Sequence, residues 1–145
     1  MSVFFNRLNQ LGLLIGILIY SSCDPQLQDE IPYVPVEIDI NLNNTEYLEL
    51  STDGGFVYIL GGVRGIIIYR VNRNEYRAFE RNSPINATAA CSIVDVDDSG
   101  LFMVDPCHNV LYDFEGLPIS GNSLPLRQYE TILDQNWLYI RNEGF

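Results

Sequence analysis

The chain has no lysine, one histidine, one tryptophan, two methionines and three cysteines in 145 residues. Eight arginines face 19 acidic residues, for a net charge of −11. Without any basic run, the counterion-release term that dominates nucleic-acid binding is missing, and so is attraction to an anionic membrane surface. One histidine, His108, and three cysteines, Cys23, Cys91 and Cys107, leave few combinations for a metal centre or a thiol nucleophile. No apolar run is long enough to span a bilayer. The longest, Leu11 to Tyr20, has 10 residues against about 20 needed. After residue 30 no stretch keeps a 3.6-residue period over the length of a helix, and there is neither an internal repeat nor a low-complexity tract. The length allows one domain.

What is present begins with an address. Arg7 is the only charge before Asp24, and the apolar stretch that follows it has the n-region and h-region pattern of a secretory signal. Tyr20-Ser21-Ser22-Cys23, small residues leading into a cysteine, resembles the lipobox of bacterial lipoproteins, although Tyr20 stands where Leu is usual. The resemblance implies that Cys23 is acylated and becomes the new N-terminus. Asp24-Pro25-Gln26-Leu27-Gln28-Asp29-Glu30 is polar and without periodicity, as a tether should be. About ten extended residues would hold a domain up to roughly 30 Å from the bilayer. The expected organisation is a signal peptide over 1–22, a lipidated cysteine and tether over 23–33, and a single domain over 34–145. The expected location is the bacterial cell envelope, anchored to the membrane through the N-terminal lipid and facing either the periplasm or the cell surface. Acidic residues just after Cys23 resemble a surface-sorting signal.

The domain reads as all β. Val34 to Ile40 alternates apolar and polar residues, the period of a half-buried strand. Phe56–Leu60, Gly65–Arg70, Tyr76–Phe79, Ile93–Val96, Leu101–Val104 and Trp137–Ile140 are short and rich in β-branched or aromatic residues. Turn formers separate them: Asp53-Gly54-Gly55, Gly61-Gly62, Asn72-Arg73-Asn74, Asp97-Asp98-Ser99-Gly100 and Gly121-Asn122. Short strands spaced by turns predict a small sandwich or open barrel. Nine Tyr and seven Phe supply the core volume that so short a chain needs. Gly54-Gly55 and Gly61-Gly62 read as turns between strands, since neither precedes a helix that could hold a phosphate.

The order of segments in the second half resembles the Rieske family of iron–sulfur proteins. Gly65–Arg70 followed by Tyr76–Phe79 is similar to the family's strand-turn-strand entry. Arg81-Asn82-Ser83-Pro84-Ile85 stands where the first ligand loop would be, and Asp105-Pro106-Cys107-His108 aligns with the second. Tyr112-Asp113, Gly116, Gly121 and Pro125-Leu126 follow the downstream pattern. The resemblance covers about residues 56–145. With the lipobox, Val34-Pro35-Val36, Gly61-Gly62-Val63-Arg64-Gly65 and Ser99-Gly100-Leu101-Phe102, the chain resembles a narrower group of Rieske-like lipoproteins whose cluster loops have drifted.

The departures bear on the chemistry. A Rieske cluster takes two thiolates on one iron and two imidazoles on the other. The resemblance places these four ligands at Ser83, Ile85, Asp105 and His108, so only His108 keeps a family ligand. Ile85 has no donor atom, and the carboxylate of Asp105 is harder than the thiolate a cluster selects. The resemblance also implies a disulfide clamping the two loops. Cys107 occupies one half directly, and Cys91 is the candidate for the other, with the first loop a few residues longer than the family's. An exported protein meets an oxidising compartment, where such a bond persists.

Two further patterns have ordinary readings. Asp95-x-Asp97-Asp98-x-Gly100 has the opening of a calcium loop, but the twelfth position, where a bidentate Glu belongs, is Pro106; a hairpin turn with solvated acids is expected. Cys107 beside His108 suggests a thiol–imidazole pair, which a disulfide would disarm. The expectation is therefore a lipid-anchored Rieske-like β domain without an intact cluster, not an enzyme, with a binding or structural role and no cofactor. No sequence feature points to a protein partner. The alternative is a redox module holding a [2Fe-2S] cluster or another metal through His108, Cys107 and Cys91.

Overall fold

The computed structural model describes residues 31–142, and within them the chain is an all-β domain of two antiparallel sheets. The expected signal peptide, Cys23 and most of the tether lie outside the described residues. The strands are β1 (Glu37–Asn41), β2 (Phe56–Ile59), β3 (Ile66–Asn72), β4 (Glu75–Glu80), β5 (Asp95–Val96), β6 (Met103–Asp105), β7 (Val110–Tyr112), β8 (Pro118–Ser120), β9 (Gln128–Asp134) and β10 (Trp137–Arg141). Six of them form a sheet in the order β1-β10-β9-β4-β3-β2, curled as a half-barrel; β5-β6-β7-β8 form a second, smaller sheet.

Two cores follow from the side-chain period of a strand. Ile66 and Ile68 of β3, Tyr76 and Ala78 of β4, Tyr129 of β9, and Leu138 and Ile140 of β10 fill the inside of the half-barrel. On the opposite face of β3 and β4, Ile67 and Phe79 pack with Val94, Met103, Val110, Tyr112 and Leu126 of the second sheet and its loops. Strands β3 and β4 are therefore covered on both faces. That explains Ile66-Ile67-Ile68, three consecutive fully buried isoleucines where a one-sided strand would alternate. Burying such a side chain contributes about 1.5–3 kcal/mol.

Several boundaries move for local reasons. Strand β1 starts at Glu37, not Val34. Pro35 has no N–H for a ladder, and the Val36 N–H donates instead to the Asn142 side chain at 2.6 Å. Leu101 and Phe102 belong to the turn before β6. Thr45–Ser51 forms a 3-10 helix, broken at Tyr47, that the sequence pattern did not announce. The Asn72–Glu75 and Asp97–Gly100 turns are where the sequence put them, between β3 and β4 and between β5 and β6.

One buried acid organises the closed end of the half-barrel. Glu80, the last residue of β4, is fully buried. Its Oε2 accepts from the Val63 N–H (2.7 Å) and the Tyr129 hydroxyl (2.7 Å), and its Oε1 from the N–H groups of Arg64 (3.0 Å) and Asn82 (2.9 Å). Gly62, at φ +58°, passes so close that a Cβ there would lie 2.2 Å from Glu80 Oε2. The glycine turn is thus an anion cradle, and its anion is a side chain of the same chain.

Tyr129 carries a testable consequence. Burial, then the hydrogen bond to Glu80 and that group's charge, push its phenol above the ordinary value of 10.0. Burial also raises Tyr112, against hydrogen bonds from Ser123 and Ser83 that lower it. Above pH 10 the unfolded tyrosine releases its proton while the folded one keeps it. The unfolded state then binds fewer protons, so stability falls as pH rises, by about 1.4 kcal/mol per pH unit for Tyr129. Urea unfolding between pH 8 and 11 should show this alkaline loss, and Tyr129→Phe should flatten it. A slope identical in the variant would refute the assignment.

Candidate functional site

The loops that the resemblance singled out come together beside the second sheet. The first leaves β4 at Arg81 and returns at Ile93, where Asn82 and Ile93 form an isolated bridge. The second, Pro106 to Asn109, joins β6 to β7. Each holds an asparagine in the left-handed region, Asn86 at φ +45° and Asn109 at φ +55°. Asparagine tolerates that conformation better than most residues.

Cys91 and Cys107 are bonded across these loops, with Cα atoms 5.5 Å apart. Of the four positions that the resemblance singled out, Ser83 and Asp105 are fully buried and Ile85 and His108 half-buried. Ser83 is fully buried; its Oγ accepts from the Ile85 N–H at 3.2 Å, and its own N–H donates to the Ser92 carbonyl. Ile85 packs at the edge of the second core. The buried Ser92 hydroxyl reaches the carbonyls of Ile85 and Asn86, closing the loop on itself.

Asp105 ends β6 and is fully buried. Its Oδ1 accepts from the N–H groups of Cys107 (2.9 Å) and His108 (3.2 Å), and its Oδ2 lies 2.8 Å from His108 Nδ1. An ionised carboxylate only accepts, so Nδ1 carries the proton and the ring is fixed in one orientation. A carboxylate at this position therefore captures the neighbouring imidazole and caps the turn that presents it.

Arginines complete the closure. Arg64 donates to the Asn82 side chain at 2.5 Å and to the carbonyls of Ala89 (2.8 Å) and Ala90 (3.3 Å), just before Cys91. Arg81 holds the Val94 carbonyl at 3.1 Å, pairs with Asp95, and lies over the Tyr58 ring with its guanidinium carbon 4.4 Å from the centroid. Sequence reasoning did not identify Arg64 or Glu80. Asp97, in the would-be calcium loop, has its pKa lowered by hydrogen bonds from the Ser99 hydroxyl and then the Ser99 N–H, as a turn residue does.

These residues do not fit a [2Fe-2S] cluster. Among the four positions where the resemblance would place the ligands, none is a thiolate, one has no donor, and the one imidazole is engaged through Nδ1 by a carboxylate. Ligand atoms of Asp105, Cys107 and His108 do lie within 4.8 Å of one another. However, Cys107 sulfur is spent in the disulfide, and a metal takes the thiolate. The Asp105 oxygens already accept three N–H donors. The arrangement is suited to holding two loops rigidly against the second core. Compared with known proteins, the chain matches no family model and no curated sequence.

Proposed function

We propose that this chain is an exported lipoprotein: the signal is removed before Cys23, the cysteine is acylated, and a Rieske-like β domain serves a non-enzymatic binding or structural role in the bacterial cell envelope. The observation that carries the reading is the occupation of the ligand-equivalent positions. Ser83 Oγ, both Asp105 oxygens and His108 Nδ1 are bonded within the protein itself, and Ile85 contributes to a core. A loop pair stitched by its own hydrogen bonds and a disulfide has the rigidity of a cluster site and none of its chemistry. The disulfide supports export, because such bonds persist in oxidising compartments.

The competing reading is a redox module holding a cluster or another metal through His108, Cys107 and Cys91; what favours it is that ligand atoms of Cys107 and His108, with Asp105 in place of Cys91, lie within 4.8 Å of one another. One experiment separates the two. Full-length protein expressed in a bacterium with its signal intact, purified anaerobically from membranes, is analysed for iron, sulfide and intact mass. The expected product begins at an acylated Cys23, is two mass units lighter than its fully reduced chain, and lacks stoichiometric iron and sulfide. Visible two-iron absorption with matching iron and sulfide, or free thiols at Cys91 and Cys107, would overturn the reading.

A further inference from the structure

The open mouth of the half-barrel lies at the opposite end of β4 from the loop pair, and it holds a groove of about 410 Å³. That volume falls in the range of small-molecule sites, roughly 300–1,000 Å³, and barrel mouths are a usual place for them. The floor is the end of the inner core, Leu50, Tyr76 and Leu133. The rim comes from three turns: Asn43 after β1, Arg73 and Asn74 between β3 and β4, and Gln135 and Asn136 between β9 and β10.

Arg73 distinguishes this groove. Among the described residues the other arginines, Arg64, Arg70, Arg77, Arg81, Arg127 and Arg141, all donate to backbone carbonyls of the domain. Arg73 alone among them has no hydrogen bond, ion pair or ring contact with another described residue. Although the chain has 19 acidic residues, none of the described ones lines the groove. In a protein of net charge −11, one cation among the described residues is thus left uncommitted and surrounded by amides that both donate and accept.

The turn itself is shaped against local preference. Gln135 sits at φ +54°, and among the described residues the other two non-glycine residues with positive φ are asparagines. Gln135 and Asn136 form a two-residue hairpin loop between the paired Asp134 and Trp137, where glycine is favoured at the first position. A glutamine in that place costs backbone strain and puts an amide on the rim.

We propose that this groove binds a saccharide bearing a carboxylate, such as a uronic-acid disaccharide. The guanidinium of Arg73 offers the planar fork that matches a carboxylate. The amides of Asn43, Asn74, Gln135 and Asn136 match hydroxyl groups, which donate and accept in turn. The apolar floor suits the C–H face of a sugar ring. A metal ion is disfavoured by the absence of acids. The proposal supplies a ligand class for the binding role above but rests on the groove alone, so cluster content or acylation leaves it unaffected.

The test is calorimetric and NMR titration of the purified full-length protein in detergent with digalacturonic acid, using lactose as the neutral control. Saturable one-to-one binding of the acid is expected, with lactose at least tenfold weaker and amide shifts at residues 43, 73–74 and 135–136. Arg73→Ala should lower affinity by about tenfold or more, as loss of a charge-assisted pair does, and Arg73→Lys should fall between. Gln135→Gly should weaken binding severalfold without lowering Tm, which separates a rim role from a folding role. Absence of saturable digalacturonate binding, equal binding of lactose, or an Arg73→Ala variant with unchanged affinity would overturn the proposal.

Discussion

Glu80→Ala is expected to destabilise the domain by about 3–5 kcal/mol, since four buried donors lose their acceptor and each unsatisfied one costs about 1–3 kcal/mol before relaxation recovers part of it. The carboxylate is inaccessible to solvent and takes four hydrogen bonds, three from backbone N–H groups and one from Tyr129. Alanine would orphan all four donors, and buried N–H groups without partners are costly. Glu80→Gln should be milder, about 1–3 kcal/mol. Its carbonyl can replace Oε1 before Arg64 and Asn82, and its NH2 group can donate to the Tyr129 oxygen, leaving only the Val63 N–H opposed. Urea unfolding of both variants checks this. A loss below about 1 kcal/mol for Glu80→Ala, or a larger loss for Gln than for Ala, would contradict the cradle.

Glu80 also shows what was legible and why. Strand β4 was evident from its composition, and along it Tyr76, Ala78 and Glu80 share a face. Two of the three are core residues, so the parity already placed the acid inside; what it lacked was a visible partner. The partners are the N–H groups of Val63 and Arg64, which carry no side-chain signature, and Tyr129, 49 positions away. The all-β class and the β3–β4 and β5–β6 turns were readable, because period-2 alternation and turn chemistry are local. Strand β9 escaped notice although Tyr129, Thr131 and Leu133 alternate inward, and β7 and β8 are too short, at three residues each, to show a period. The 3-10 helix at 45–51 has no repeating pattern to detect.

The candidate site divides in the same way. Pairing of Cys91 with Cys107 followed from the resemblance, and the two sulfurs do lie at bonding distance. The bonds that spend Asp105, Ser83 and Ser92 were not readable, since a sequence states which groups exist but not which are already satisfied. The groove was invisible for a further reason. Its rim is assembled from turns at 43, 73–74 and 135–136, of which only Asn72-Arg73-Asn74 was marked in the sequence, as an ordinary connection. Only the curl of the six-stranded sheet brings them around one opening.

Reducing the Cys91–Cys107 bond, or replacing both residues by Ala, is expected to cost about 3 kcal/mol. The bond closes a loop of 16 positions, for which the chain-entropy account gives that magnitude through the unfolded state. For a domain of this size the corresponding fall in Tm is about 10–20 °C. The folded side should change little, because each loop is held independently. Arg64 grips the carbonyls of Ala89 and Ala90, and Asp105 grips the N–H groups of Cys107 and His108. Unfolding should therefore stay a single transition, and the reduced wild type and the double Ala variant should melt together. Calorimetry with and without reductant on both proteins decides the point. A reduced wild type within about 2 °C of the oxidised form would show that the hydrogen bonds alone set the stability. A separate low-temperature transition on reduction would instead show that the disulfide, not the arginine and aspartate contacts, keeps the loops closed.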